Sequence, residues 1–180
     1  MDVLAKNYDK YINHLFVNSN NIVTRDTSVC YYDCTNYYFE IEDADIYIDE
    51  VTGKEVTGLR QYGPSKEHRP NPIVEMGLFM DKDGIPISMG IFSGNMNEQK
   101  TVSDVETKMI KSLKKKEFIY CGDAGLGSAS IRAFNDMGGR AFIVTQSIKK
   151  LNEEFQNELL KDEGFKLLSN DKAITLNELK

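Results

Sequence analysis

Two aspartates carry the chemistry that this sequence offers. Asp33 lies in "VCYYDCTNYYFEIE", residues 29–42, where the residues alternate as in a β-strand. Val29, Tyr31, Asp33, Thr35, Tyr37, Phe39 and Ile41 share one parity, which reads as the core-facing row. A charge in such a row is costly unless it is paired, hydrogen-bonded or bound to a metal. Asp123 directly follows "FIYCG", at the carboxyl end of a short apolar strand. Two strand-end carboxylates brought together repel, and a divalent cation between them relieves the repulsion. Mg2+ suits such a pair, because it takes oxygen ligands, keeps several waters and accepts one or two protein carboxylates beside substrate phosphates. Two such ions activate an attacking water or hydroxyl and stabilise the leaving oxygen of a phosphodiester. Each aspartate also has a plainer reading: Asp33 caps a turn, and Asp123 caps the helix after "AGLGS".

The elements that must position the pair are legible in outline. Residues 28–34 and 37–42 alternate on either side of Asn36 and predict a β-hairpin. Residues 43–72 read as a long loop holding three of the four prolines. A loop that long in a compact domain is usually functional or disordered. Residues 73–80 and 85–92 predict two strands joined by a turn at "DKDG", 81–84. "NEQKTVSDVETKMIKSLKKK" then places Val102, Val105, Met109 and Leu113 on one helical face, with Thr101 or Ser103 at its cap. A strand at 117–123, a helix at 128–138, a strand at 140–148 and a charged helix at 150–164 follow. Adjacent antiparallel strands followed by strand–helix–strand crossovers give an α/β protein with a mixed sheet and flanking helices. This is the element order of the ribonuclease H-like fold, in which the strands of Asp33 and Asp123 lie side by side.

Composition narrows the possibilities. The chain of 180 residues suits one domain with or without a tail. A net charge of −6 argues against a protein whose main task is gripping a phosphate backbone. No apolar run approaches the ~20 residues of a membrane helix, and the first residues lack a signal-peptide core, so a cytoplasmic location and no membrane partner are expected. Cys30, Cys34 and Cys121 do not complete a zinc pattern. "GDAGLGS" has neither the dinucleotide glycine spacing nor a Walker lysine.

Several stretches together resemble the DDE-type insertion-sequence transposases: "YYDCTNYYFE", "YGPSKEHRPNPIVEMGLFMDKDGIPISMGIFSGNMNEQKT" and "FIYCGDAGLGS". They run in the same order over residues ~29–150, and the stretch from Gly63 to Pro70, followed by "DGIP", "GN" and Thr101, is the most specific part. The resemblance implies a ribonuclease H-like catalytic core in which acidic residues bind two Mg2+ or Mn2+ ions. Such a core cleaves DNA at transposon ends and joins the 3′ hydroxyls to target DNA, within oligomers assembled on DNA. By position, Asp33 is the first acid, in a D-x-T pattern with Thr35, and Asp123 is the second. Both are thereby implied as catalytic metal ligands.

The third acid should be a glutamate within a Y-x-x-R-x-x-x-E-x-x-x-x-x-x-K pattern, and these residues contain none. Glu153, Glu154 and Glu158 read instead as a solvated helical face. The expected organisation is an N-terminal flank at 1–25 with helical pattern, a partial catalytic core at 26–150, and a C-terminal helix with the start of an insertion at 151–180. These 180 residues alone are then expected to be inactive. Lys66, His68 and Arg69 are candidates for contacting DNA near the active edge, Arg as a bidentate phosphate ligand and Lys as a point charge. Each also reads as a solvated loop charge. Lys111 and Lys114–Lys116 read as the favourable end of a helix. Two alternatives share this fold: a metal-dependent nuclease confined to hydrolysis, and a non-catalytic remnant.

Overall fold

Cys30, Tyr32 and Cys34 are the buried residues of the first strand, β1 (Val29–Tyr38), whereas Tyr31, Asp33, Thr35 and Tyr37 are exposed. The core-facing row is therefore the even one, and the expectation that Asp33 faces the core is overturned. Both rows are apolar over residues 29–32, so alternation there does not say which face the helices cover. Small apolar cysteines are among the most often buried residues, and here they mark the inner face. The expected hairpin about Asn36 is also absent: β1 runs unbroken through it, because all of Tyr31–Tyr38 is register-paired with β4 (Ile73–Met80).

The computed structural model describes residues 2–114, 116–161, 163–166, 170–175 and 178. Lys115, part of the expected basic helix end, lies outside them. Two compact units are present, Met1–Thr145 and Gln146–Lys180. The first opens with helices α1 (Asp2–Lys6) and α2 (Tyr8–Ser19), followed by β1. The long loop contains a small two-stranded sheet, β2 (Ile46–Ile48) with β3 (Glu55–Thr57). After β4 come β5 (Pro86–Ser93), α3 (Glu98–Leu113), β6 (Ile119–Gly122), α4 (Ala129–Asn135) and β7 (Ala141–Val144). The second unit holds α5 (Glu153–Leu159) and the pair β8 (Phe165–Lys166) and β9 (Ala173–Ile174).

The five-stranded sheet has the order β5-β4-β1-β6-β7. β5, β4 and β1 are mutually antiparallel, and β6 and β7 run parallel to β1. This is the ribonuclease H-like arrangement. Its hairpin turn forms as expected: Asp81 Oδ1 accepts from the backbone N–H groups of Asp83 and Ile85, and Gly84 takes φ +77°.

α3 covers the inner face. Val102, Val105 and Met109 are buried against Tyr32, Phe79 and Tyr120, and each apolar side chain so buried contributes roughly 1.5–3 kcal/mol. Asn97 caps α3, its side chain accepting from Gln99 N–H, rather than the expected Thr101 or Ser103. Thr101 lies inside the helix and is wholly buried, within 2.6 Å of the Tyr32 hydroxyl. α3 ends at Leu113, where Lys114 takes a left-handed conformation.

Candidate active site

β1 and β6 pair in parallel register, with Tyr31 opposite Cys121. Asp33 and Asp123 each stand two positions further on, and Asp123 keeps an extended backbone. Neighbouring strands lie about 4.8 Å apart, so the two side chains leave adjacent strands at matching heights. Both line one open cavity of about 460 Å3, together with Tyr31, Met80, Cys121 and Ile143. Asp33 is on the face of the sheet opposite α3 and is largely solvent-exposed.

One oxygen of each carboxylate is committed to the backbone. Asp33 Oδ1 accepts from Cys34 N–H at 2.8 Å, and Asp123 Oδ1 accepts from Leu126 N–H at 3.0 Å, capping the 3-10 turn Ala124–Leu126. The helix after "AGLGS", α4, is capped instead by Ser128, which accepts from Ile131 N–H, so the helix-capping role expected of Asp123 is not found, and its turn cap uses only one oxygen. Among the described residues no group of three His, Cys, Asp or Glu side chains is placed to hold a metal ion. The pair fits a hard divalent cation that takes one or two carboxylates and otherwise keeps its waters: Asp33, in the middle of β1 rather than at its expected end, and Asp123, just past the end of β6, share one open cavity, each with an oxygen outside the backbone hydrogen bonds above.

Lys66 reaches this edge. Its ammonium donates to Cys34 O and lies 4.0 Å from Asp33 Oδ1 and 3.4 Å from Glu98 Oε1. Burial depresses its pKa, but the Glu98 and Asp33 carboxylates more than offset that, and the net shift is upward. The loop is held in place by Asn36, which accepts from Lys66 N–H and donates to Pro64 O. Gly63 and Gly94 let the loop close on the start of α3. A Cβ on Gly63 would sit 1.8 Å from Gly94 O, and one on Gly94 would sit 2.0 Å from Ile73 O.

His68 and Arg69 are placed differently. His68 sits in a turn at φ +55°, its N–H donating to Ser65 O. Arg69 stacks 4.8 Å from the centre of the Tyr38 ring and pairs with Glu67 at 3.5 Å. Tyr38 is five positions beyond Asp33 on β1, roughly 16 Å at about 3.3 Å per residue.

Two acids that the sequence pattern did not single out belong to this neighbourhood, Glu75 and Glu98. Glu75 is on the buried row of β4 at 3% exposure, and its Oε1 has no hydrogen-bond partner among the described residues. Burial, then the nearby Glu98, pushes its pKa up to about 7. Glu75, Glu98 and Lys66 line a second cavity, of about 390 Å3. A signal for Glu75 was available in the sequence: Ile73, Glu75, Gly77 and Phe79 form one alternating row, with a charge inside it.

No protein-family model matches the chain, and no curated protein sequence matches it. Solved structures of Mos1 transposase resemble it remotely. The Mos1 paired-end complex with the left transposon end has a TM-score of 0.40 at 10% identity, over 76% of this chain and 40% of that one. The Mos1 mariner paired-end complex with Mn gives 0.41 at 10% identity, over 74% and 40%. A pre-cleavage Mos1 transpososome gives 0.38 at 9% identity, over 76% and 41%. The chain spans about two fifths of the length of those proteins. Similarity at this level places no residue. No helix among the described residues is long and apolar enough to cross a membrane.

Proposed function

We propose that this chain carries the catalytic core of a DDE-type transposase, with DNA as its substrate and Asp33 and Asp123 as its metal-binding carboxylates. The observation that carries this reading is the presence of these two aspartates in one cavity, at matching positions on the neighbouring parallel strands β1 and β6. Mg2+ or Mn2+ bound there would supply Lewis-acid stabilisation to a phosphodiester and a nucleophile at neutral pH. Asp33 within β1 and Asp123 at the end of β6 would hold the ion on rigid backbone, which favours precise placement. Lys66, beside Asp33, would face the scissile phosphate as a point charge. Arg69, stacked on Tyr38, would meet DNA further along. Cleavage and strand transfer would also need a third carboxylate.

The test is Mg2+- or Mn2+-dependent nicking of supercoiled DNA. It is run on the chain and on a form extended by the downstream residues of its reading frame, beside Asp33→Asn and Asp123→Asn. Nicking by the extended form, abolished by either substitution, is the expected result. Nicking that survives both substitutions sinks the site assignment. No nicking by the extended form favours a non-catalytic ribonuclease H-like domain. Hydrolysis without joining of 3′ ends to a target favours a nuclease.

A further inference from the structure

Lys66 is surrounded by more negative charge than one ammonium needs. Asp33 lies 4.0 Å away on one side and Glu98 3.4 Å away on the other, and Glu75 stands behind Glu98 in the same cavity. Glu75 is the anomalous member. It is 3% exposed, and one of its oxygens has no hydrogen-bond partner among the described residues. A buried carboxylate oxygen without a donor is costly, and the Lys66 side chain is a mobile donor lining the same cavity. That side chain has a flexible four-carbon stem and borders a cavity of about 390 Å3 that gives it room to move.

We infer that Lys66 is a resident cation for Asp33, and that Glu98, backed by Glu75, is the seat to which its ammonium moves when a divalent ion takes Asp33. This rests on the metal-binding reading of Asp33 and extends it. Without the ion, the ammonium shields the exposed Asp33 carboxylate. A divalent cation on Asp33 would face a like charge about 4 Å away, a repulsion of ~2 kcal/mol in a water-like medium for two charges against one. Moving toward Glu98 and Glu75 relieves that repulsion and brings a donor to the unpaired Glu75 oxygen. Glu98 is thus a positioning residue, acting through Lys66. The cavity itself does not suit a second divalent ion, because an ammonium 3.4 Å from Glu98 already neutralises it.

Mn2+ binding to the chain, followed by electron paramagnetic resonance or calorimetry, tests this without DNA or turnover, with circular dichroism confirming that each variant folds. Asp33→Asn should abolish the site. Lys66→Met should bind Mn2+ about thirty-fold tighter, the worth of one unit charge against a divalent ion at that distance in water, and Lys66→Arg should bind it like the parent chain. Glu98→Gln should weaken binding, because the displaced ammonium has lost its seat. In a Lys66→Met background the same substitution should have no effect. If Mn2+ binding depends on Asp33 but Lys66→Met leaves it unchanged, or the Glu98→Gln effect persists without Lys66, the inference is overturned. If no Mn2+ binding depends on Asp33, the metal reading itself falls, and the inference with it.

Discussion

Asp81 grips Arg25 through one carboxylate oxygen, 2.5 Å from the guanidinium Nε, with both side chains out of contact with solvent. The other oxygen holds the Asp81–Gly84 turn, and the guanidinium also donates to Ser19 Oγ, Ile85 O and Pro86 O. Phe16 of α2 stacks on it at 4.9 Å. One buried ion pair thus ties α2 to the β4–β5 hairpin. Arg25→Met leaves a buried carboxylate without its partner and should cost about 3–5 kcal/mol, read as a lower urea midpoint. Asp81→Asn should cost a similar amount. A loss below about 1 kcal/mol for both would show that the pair is solvated on the timescale of unfolding.

The pH dependence of stability should carry the mark of two buried acids. The Glu75 pKa is pushed up to about 7 by burial and then by Glu98. Glu106 reaches about 7 through burial, which Asn135 and Arg140 offset only in part. The folded chain therefore holds these protons more tightly than the unfolded chain does. Their contribution is fully present below the ordinary carboxylate value of 4.5 and is lost as pH rises through about 7. Each tenfold gain in proton affinity on folding is worth about 1.4 kcal/mol. Glu75→Gln should flatten the decline between about pH 5 and pH 8, seen in urea unfolding at several pH values. An unchanged slope would place the Glu75 carboxyl in contact with water.

Gly63→Ala should be far more damaging than an exposed loop substitution. Its Cβ would meet a backbone carbonyl at 1.8 Å, and backbone cannot swing aside as a long side chain does. A cost of about 1–3 kcal/mol is expected from such overpacking. The loop that presents Lys66 should also shift, visible as altered amide resonances at Lys66 and Asn36.

Thr101 links α3 to β1 through one hydroxyl. It donates to Glu98 O at 2.6 Å, so its 2.6 Å contact with Tyr32 is made by the tyrosine O–H donating to it. Thr101→Val keeps the volume and strands the buried tyrosine hydroxyl, at a cost of about 1–3 kcal/mol. Adding Tyr32→Phe should recover part of that loss. A double variant as unstable as the sum of the two singles would mean that the hydroxyls are not coupled.

The element order was legible because its signals are local. The turn at 81–84, the period of Val102, Val105 and Met109, and the short strand before Asp123 each depend on a few adjacent residues. The parity of β1 was not legible, since Val29–Tyr32 is apolar on both rows and only the placement of α3 against Tyr32 distinguishes them. The same argument about a charge in a buried row, applied to Asp33, belonged to Glu75 on the next strand of the sheet. Asn36 resembled a turn residue, but a full ladder to β4 held it in a strand.

The sequence by itself determined that one aspartate lies within the first strand and another directly follows a short apolar strand, because alternation and short apolar runs are local signals. Only the tertiary structure decided which face each aspartate takes, and that Lys66, Glu98 and Glu75 gather beside Asp33. Those three residues lie 9 to 32 positions apart in the chain. Their meeting depends on the close approach of the Gly63 and Gly94 backbones, a long-range contact that no local pattern encodes.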